Sequence, residues 1–231
     1  MSLAKQRSDF AMCMQTFILL SIYFLTLDLV TCVKINRLEV PEVAHLGTPI
    51  VLDCDYSVER DEGLVVKWFF NDRKTLIYQW IPHTKPVTLG VLKGRVNLDY
   101  SASSDINSIH RALQITKPGP DLSGNYTCAV SSYFSEDRKT KSMLIVDPGK
   151  SLELKQEFHE NGNRKIICSA EGVFPQPSMN IHINNSEVNN SVFSVHKRAG
   201  LFDVQVMADV PLLTSPKNFP ANYIFHKPTS R

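Results

Sequence analysis

The feature that most constrains this chain is a set of four residues in fixed order, Cys54, Trp68, Tyr126 and Cys128. Cys54 closes the segment Ile50-Val-Leu52-Asp-Cys54, in which Ile50, Leu52 and Cys54 share one face of a strand while Val51 and Asp53 take the other. Trp68 comes fourteen residues later in Val66-Lys-Trp68-Phe-Phe70, with Val66, Trp68 and Phe70 again in phase. Tyr126 stands two residues before Cys128 in Asp121-Leu-Ser-Gly-Asn-Tyr126-Thr-Cys128. Short alternating segments, broken by turn residues and lacking a helical period, predict an all-β sandwich.

Cys, Trp and Tyr-x-Cys in this order resemble the immunoglobulin signature. That resemblance implies a disulfide between Cys54 and Cys128, an indole packed on it, and a Tyr126 hydroxyl tying the corner before strand F. The competing reading is an unrelated β domain with coincidental cysteines. The cysteines lie 74 positions apart, which leaves room for the extra C′ and C″ strands of a V-type sandwich. Residues 76–81 are expected as strand C′, 109–115 as E and 140–146 as G. Pro82 and Pro86 cannot donate to a ladder and suit an edge or loop. Arg95 is placed to pair with Asp121 across the bottom of the sandwich, its alternative being a solvated surface residue. No Phe-Gly-x-Gly bulge occurs in residues 137–144, which argues against an antibody or antigen-receptor variable chain.

Three units are expected: a signal peptide over residues 1–32, a V-type domain over 33–147 and a constant-like domain over 148–231. Lys5 and Arg7 precede the apolar run of residues 17–27, the pattern of a secretory signal, with an uncleaved anchor as the alternative. No later run reaches bilayer length, so a secreted, extracellular product with no spanning segment after the signal is expected. Beyond the short linker 147–150, residues 152–154 and 165–172 read as strands A and B of a second sandwich. Residues 179–183 read as strand C, with Met179 or Ile181 where a Trp is expected, and residues 202–210 as strand E. Cys168 lacks the partner a constant-type domain carries, since Tyr223-Ile-Phe225 stands where Tyr-x-Cys is expected. This second sandwich therefore reads as incomplete, with truncation, pairing to Cys32 and an intermolecular bond as the three explanations.

With 25 basic and 23 acidic residues the formal charge is +2, which excludes a polybasic nucleic-acid binder. At 43% hydrophobic the chain is also too apolar for a disordered one. The seven histidines are scattered, and there is no Cys-x-x-Cys, phosphate-binding loop or Gly-x-Ser-x-Gly elbow. The sequence therefore offers no catalytic constellation, metal site, cofactor site or small-molecule substrate site, and predicts a protein that is not an enzyme.

Over residues 34–146 the chain resembles the immunoglobulin-superfamily cell-recognition proteins of insects, most nearly the beaten path family. The narrower likeness rests on Tyr78-Gln-Trp-Ile-Pro82 and Gly94-Arg-Val-Asn-Leu-Asp99. In the second domain, Gly172-Val-Phe-Pro-Gln-Pro177 is similar to co-stimulatory ligands of the butyrophilin type. The insect resemblance implies heterophilic recognition in axon guidance or at synapses, with a Sidestep-type receptor as the cell-surface partner. A soluble immune-type receptor or decoy, and a homophilic adhesion protein, are the alternatives. Alternation turns Lys67, Phe69, Thr127 and Ala129 outward, so Phe69 with Tyr78, Trp80, Tyr133 and Phe134 is the expected aromatic contact patch. Sequons at Asn125, Asn184 and Asn189 are candidate glycosylation sites.

Overall fold

The computed structural model describes residues 32–160, 162–183 and 186–211, together with the backbone of 221–225. The signal segment, Cys13 and the Asn184 sequon lie outside the described residues.

Ten strands build the first sandwich: β1 (Lys34–Glu39), β2 (Val43–His45), β3 (Ile50–Ser57), β4 (Val65–Phe70), β5 (Leu76–Trp80), β6 (Val87–Thr88), β7 (Val96–Asn97), β8 (Leu113–Ile115), β9 (Gly124–Ser131) and β10 (Glu136–Val146). One sheet has the order β1-β3-β8-β7 and the other β2-β10-β9-β4-β5-β6. The short β2 runs parallel to β10, pairing Ala44 with Ile145, while the other pairs are antiparallel. β5 and β6 are the two strands that the long spacing between the cysteines called for, so the sandwich is V-type.

The alternation read from sequence governs the core. In β3 the buried residues are Ile50, Leu52, Cys54 and Tyr56, and in β4 they are Val66, Trp68 and Phe70. Cys54 and Cys128 form the inter-sheet disulfide. Closing a loop of 74 residues is worth roughly 4 kcal/mol in the chain-entropy account. Trp68 lies directly opposite Cys128 on one side and Tyr78 on the other, fully buried among them. At the bottom corner the Tyr126 hydroxyl donates to Leu122 O at 2.7 Å, reaching back to the 3-10 turn Pro120–Leu122. Asp121 of that turn accepts from Arg95 Nη1 at 2.7 Å.

Strand E is shorter than expected. Residues 105–112 form turns, held by Asn107 N donating to Asp105 Oδ1 and by Asp105 N donating to Ser103 Oγ. Local bonds of this kind compete with the ladder and leave only Leu113–Ile115 in β8. Strand G is longer than expected because β10 already pairs with β9 at Glu136, opposite Ser131.

The second sandwich consists of β11 (Leu152–Phe158), β12 (Asn163–Val173), β13 (Pro177–Ile183), β14 (Ser186–Glu187), β15 (Val192–Arg198), β16 (Leu201–Pro211) and β17 (Ala221–Phe225). Its sheets are β11-β12-β16-β15 and β14-β13-β17. Met179 and Ile181 are both buried, beside Cys168, Val204 and Val206. Across the sheet Ile181 pairs with Ala221 and Met179 with Tyr223, so neither pairs with a cysteine of β17. Cys168 is a buried free thiol and Cys32 an exposed one.

The linker makes a short bridge between the two units. Asp147 N donates to Phe174 O at 2.8 Å, and Phe174 N returns a bond to Asp147 O at 2.9 Å. Phe174 packs against the first core and stacks on Phe202, with ring centroids 6.4 Å apart. Gly149 adopts φ +81°, and a Cβ there would fall 2.5 Å from Glu171 O, so the turn admits only glycine. Among the described residues no helix is long and apolar enough to cross a membrane.

Candidate functional site

The loops joining β3 to β4, β5 to β6, β7 to β8 and β9 to β10 gather at the end of the first sandwich remote from the linker. β10 starts at this end and runs to Val146, so its 11 residues put roughly 35 Å between loop tip and linker.

The turn between β9 and β10 is tied down by hydrogen bonds on several sides. Ser132 Oγ accepts from the backbone N–H groups of Phe134 and Ser135, and Ser132 N donates to Ser135 O at 2.9 Å. Tyr133 N donates to Glu62 O at 3.0 Å, latching the turn onto the loop before β4. The Tyr133 ring crosses Gly63 so closely that a Cβ there would lie 2.3 Å from its Cε1. From the N-terminal side, Val33 N donates to Ser135 Oγ and Ile35 N to Asp137 Oδ2, each at 2.7 Å. A turn held at so many points still leaves Tyr133 82% and Phe134 50% exposed. The Arg60 guanidinium sits 5.1 Å from the Phe134 ring centroid.

The five residues of the expected aromatic patch therefore divide. Tyr133 and Phe134 project at the tip, and Phe69 is half-buried on the sheet face with the Arg138 guanidinium 5.8 Å from its ring. Tyr78 and Trp80 do not belong to the surface; each is only 1% exposed. The register decides this, because residues directly opposite on neighbouring strands share a face. Trp68 faces Tyr78 and Val66 faces Trp80, so both aromatics point inward with the core. The Tyr78 hydroxyl donates to His110 O at 2.8 Å and Trp80 Nε1 to Thr84 O at 3.2 Å, which satisfies their polar ends indoors. On the outer face, Gln79 pairs with Lys67 and Leu76 with Phe69. Thr127 and Ala129 lie beneath side chains of that face, with Thr127 Oγ1 2.8 Å from Thr140 Oγ1.

One feature of the site went unread in the sequence. An open depression of about 530 Å³ lies at the tip, its wall including Asp61, Gly63, Ile81, His83, Asn107 and Tyr133. The Asp61 carboxylate accepts from Asn107 Nδ2 at 2.7 Å. The inward turn of Trp80 is what sends Ile81 to the surface, so an inward assignment of Trp80 is the signal that would have found it.

Four ionisable groups of the first sandwich serve structure. Burial pushes the hydroxyls of Tyr56, Tyr78 and Tyr126 far above the usual phenol range, so all three stay protonated donors. Asp72 is held below the usual carboxylate range by the backbone N–H of Lys74, then by the N–H and hydroxyl of Thr75. Among the described residues no three His, Cys, Asp or Glu side chains converge as a metal site. Asn125 lies near the start of β9 opposite Ser142, and Asn189 is exposed in the turn before β15.

No family model matches the chain. Among curated proteins it is similar to butyrophilin-like protein 2 of Homo sapiens, 24% identical over 186 residues that cover 77% of this chain and 37% of that protein. It is 26% identical to butyrophilin subfamily 2 member A2 of Mus musculus over 164 residues, covering 68% of this chain and 31% of the relative. The chain thus spans about a third of the length of the curated relatives it matches. The crystal structure of bovine butyrophilin superposes with a TM-score of 0.63 at 16% identity, over 84% of this chain and 97% of that one. The fold is therefore one of immunoglobulin-like β-sandwiches, a V-type one followed by a constant-like one.

Proposed function

We propose that this chain is an extracellular recognition module of immune type, whose V-type domain binds a protein on a cell surface through its loop end. The observation that carries this reading is the exposed Tyr133 and Phe134 pair on a turn fixed by hydrogen bonds from three directions. Aromatics held rigidly in water are typical interface anchors, because their contact area is large and little side-chain entropy remains to be lost on binding.

Similarity to butyrophilin-type proteins supports the immune-type side of the reading. The guidance reading, with a Sidestep-type receptor, rests on two motifs that turn out to be structural. Tyr78 and Trp80 of the first are core residues, and Arg95 of the second is engaged at the bottom corner with Asp121. The first motif reaches the loop end only through Ile81 and Pro82, and the comparisons lend guidance no support, so it is not the reading adopted.

The test is to display the full chain on beads, pan it against a library of extracellular domains, and repeat with Phe134→Asp. A partner whose binding falls at least about tenfold on substitution supports the reading. A partner held equally well by both proteins moves the site away from the tip. Beads that aggregate with one another and capture no other protein point to homophilic adhesion.

A further inference from the structure

We propose that the depression at the loop end is a receptor for a single basic side chain, Arg or Lys, presented by the partner protein. This deepens the recognition reading above and rests on it.

Three properties of the depression fit such an occupant. Its floor and rim are apolar where a side-chain stem would lie, with Val65, Ile81 and Pro82 lining it and Ile81 exposed. Its formal negative charge is Asp61, which is held by a neutral amide, Asn107 Nδ2, rather than by a cation. No Lys or Arg lines the wall, and the nearby Arg60 is occupied over the Phe134 ring. The surrounding loop reinforces the sign, since Glu59, Asp61 and Glu62 outnumber Arg60 within it. Finally, the Tyr133 ring lies across Gly63 and presents an exposed aromatic surface to the same space. Arg and Lys match this arrangement, with an aliphatic stem for the apolar wall, a cation for the carboxylate and an attraction to an aromatic face. An acidic side chain would meet Asp61 with like charge, and a purely apolar one would bury that carboxylate without replacing its water.

The geometry also separates the roles of two groups. Asn107 holds the carboxylate in place through its amide, and Asp61 supplies the charge. Asp61→Asn keeps the size and the capacity to hydrogen-bond Asn107 while removing the charge, so it tests recognition with little effect on the loop.

The experiment uses the isotopically labelled full chain and follows backbone amide signals during titration with N-acetyl-arginine amide, and with N-acetyl-glutamate as the opposite charge. The arginine derivative should displace the Gly63, Leu64 and Tyr133 signals saturably, and the glutamate derivative should not. Asp61→Asn should weaken the arginine effect about tenfold, the usual scale for removing one charged hydrogen-bond partner. Unchanged signals elsewhere in the spectrum of that variant show that the fold is kept. Absence of a saturable displacement, equal response to both probes, or equal affinity in Asp61→Asn each overturns the proposal. A partner captured through Phe134 and bound equally well by Asp61→Asn also overturns it, yet leaves the recognition reading standing. Saturable arginine binding in a chain with no Phe134-dependent partner supports the depression and counts against that wider reading.

Discussion

Arg111 offers a sharp test of how the first sandwich is held together. It lies between β7 and β8, and its guanidinium grips two carboxylates on the outward face of β3. Nε meets Asp53 Oδ1 at 3.0 Å and Nη2 meets Asp53 Oδ2 at 3.1 Å, a bidentate pair, while Nη1 reaches Asp55. Its carbonyl accepts from Trp68 Nε1 at 3.4 Å, so the same residue touches the central indole. Exposed ion pairs contribute under about 1 kcal/mol, whereas removing one partner of a buried pair costs about 3–5 kcal/mol. The three side chains are 18%, 15% and 31% exposed, which puts Arg111→Met between these limits at about 2 kcal/mol. The assay is urea unfolding followed by tryptophan fluorescence. Trp68 and Trp80 are the two tryptophans of the chain and both sit in the first core, so the signal reports that unit even if the second unfolds separately. With an m-value of about 1.5 kcal/mol/M, the midpoint should fall by roughly 1.3 M. Adding Asp53→Asn and Asp55→Asn should restore about half the loss, because two unpaired carboxylates no longer face each other. A midpoint shift under about 0.3 M for Arg111→Met would falsify this account of the clasp.

Three further outcomes follow from the structure. Burial raises the Cys168 thiol above its ordinary range, so its thiolate is scarce; in a chain retaining Cys32, iodoacetamide should label Cys32 in the native state and reach Cys168 only after denaturation, as peptide mapping by mass spectrometry would show. Asp72 has a depressed folded-state pKa, so its stabilisation of the β4–β5 turn is present above the unfolded value and lost as pH falls through the folded one; an NMR titration midpoint at or above 3.8 contradicts this. Asn125 stands six residues before the end of β9, about 20 Å from the tip. Endoglycosidase treatment of the chain expressed through a secretory host should therefore remove a glycan that Asn125→Gln lacks, with panning results unchanged, and an identical mass loss in both proteins refutes the assignment.

What was legible in the sequence was whatever depends on neighbours along the chain. The inward faces of β3, β4 and β9 follow from period-two alternation, and Cys54, Trp68 and Cys128 mark which face is inward. The facing of β5 is different in kind. Tyr78 and Trp80 share a face on any reading, but which face depends on pairing with β4, a quantity no local pattern contains. The register between these strands also shifts between Trp68 and Phe69, so that Phe69 meets Leu76, and no turn residue in the sequence announces it. Strand β15 was missed for a related reason: Val192 and Phe193 are exposed, and an alternation without a strongly apolar face gives a weak signal. At the site, Tyr133 and Phe134 were legible because serines flank them in a short turn between strong strands. The contribution of Gly63 was not, since its meaning lies in a ring arriving from 70 positions further along the chain.

The two sandwiches share a strand plan but place their rigidity differently, and this bears on where recognition sits. The first combines a disulfide with a core holding Trp68, Trp80, Tyr78 and Tyr126 fully buried. The second, among the described residues, packs aliphatic side chains around an unpaired Cys168 and Met179. An aromatic anchor adds affinity in proportion to how little of its own surroundings must be ordered when the partner arrives. That ordering has already been achieved at the tip of the first sandwich: Tyr133 is bonded to the loop of Glu62, Ser135 is tied to Val33, and the turn grows from β9, whose Cys128 is fixed to β3. On the proposed recognition reading the stapled domain and the exposed aromatics form one device, in which the disulfide and the central indole hold the strands whose connecting turn presents Tyr133 and Phe134.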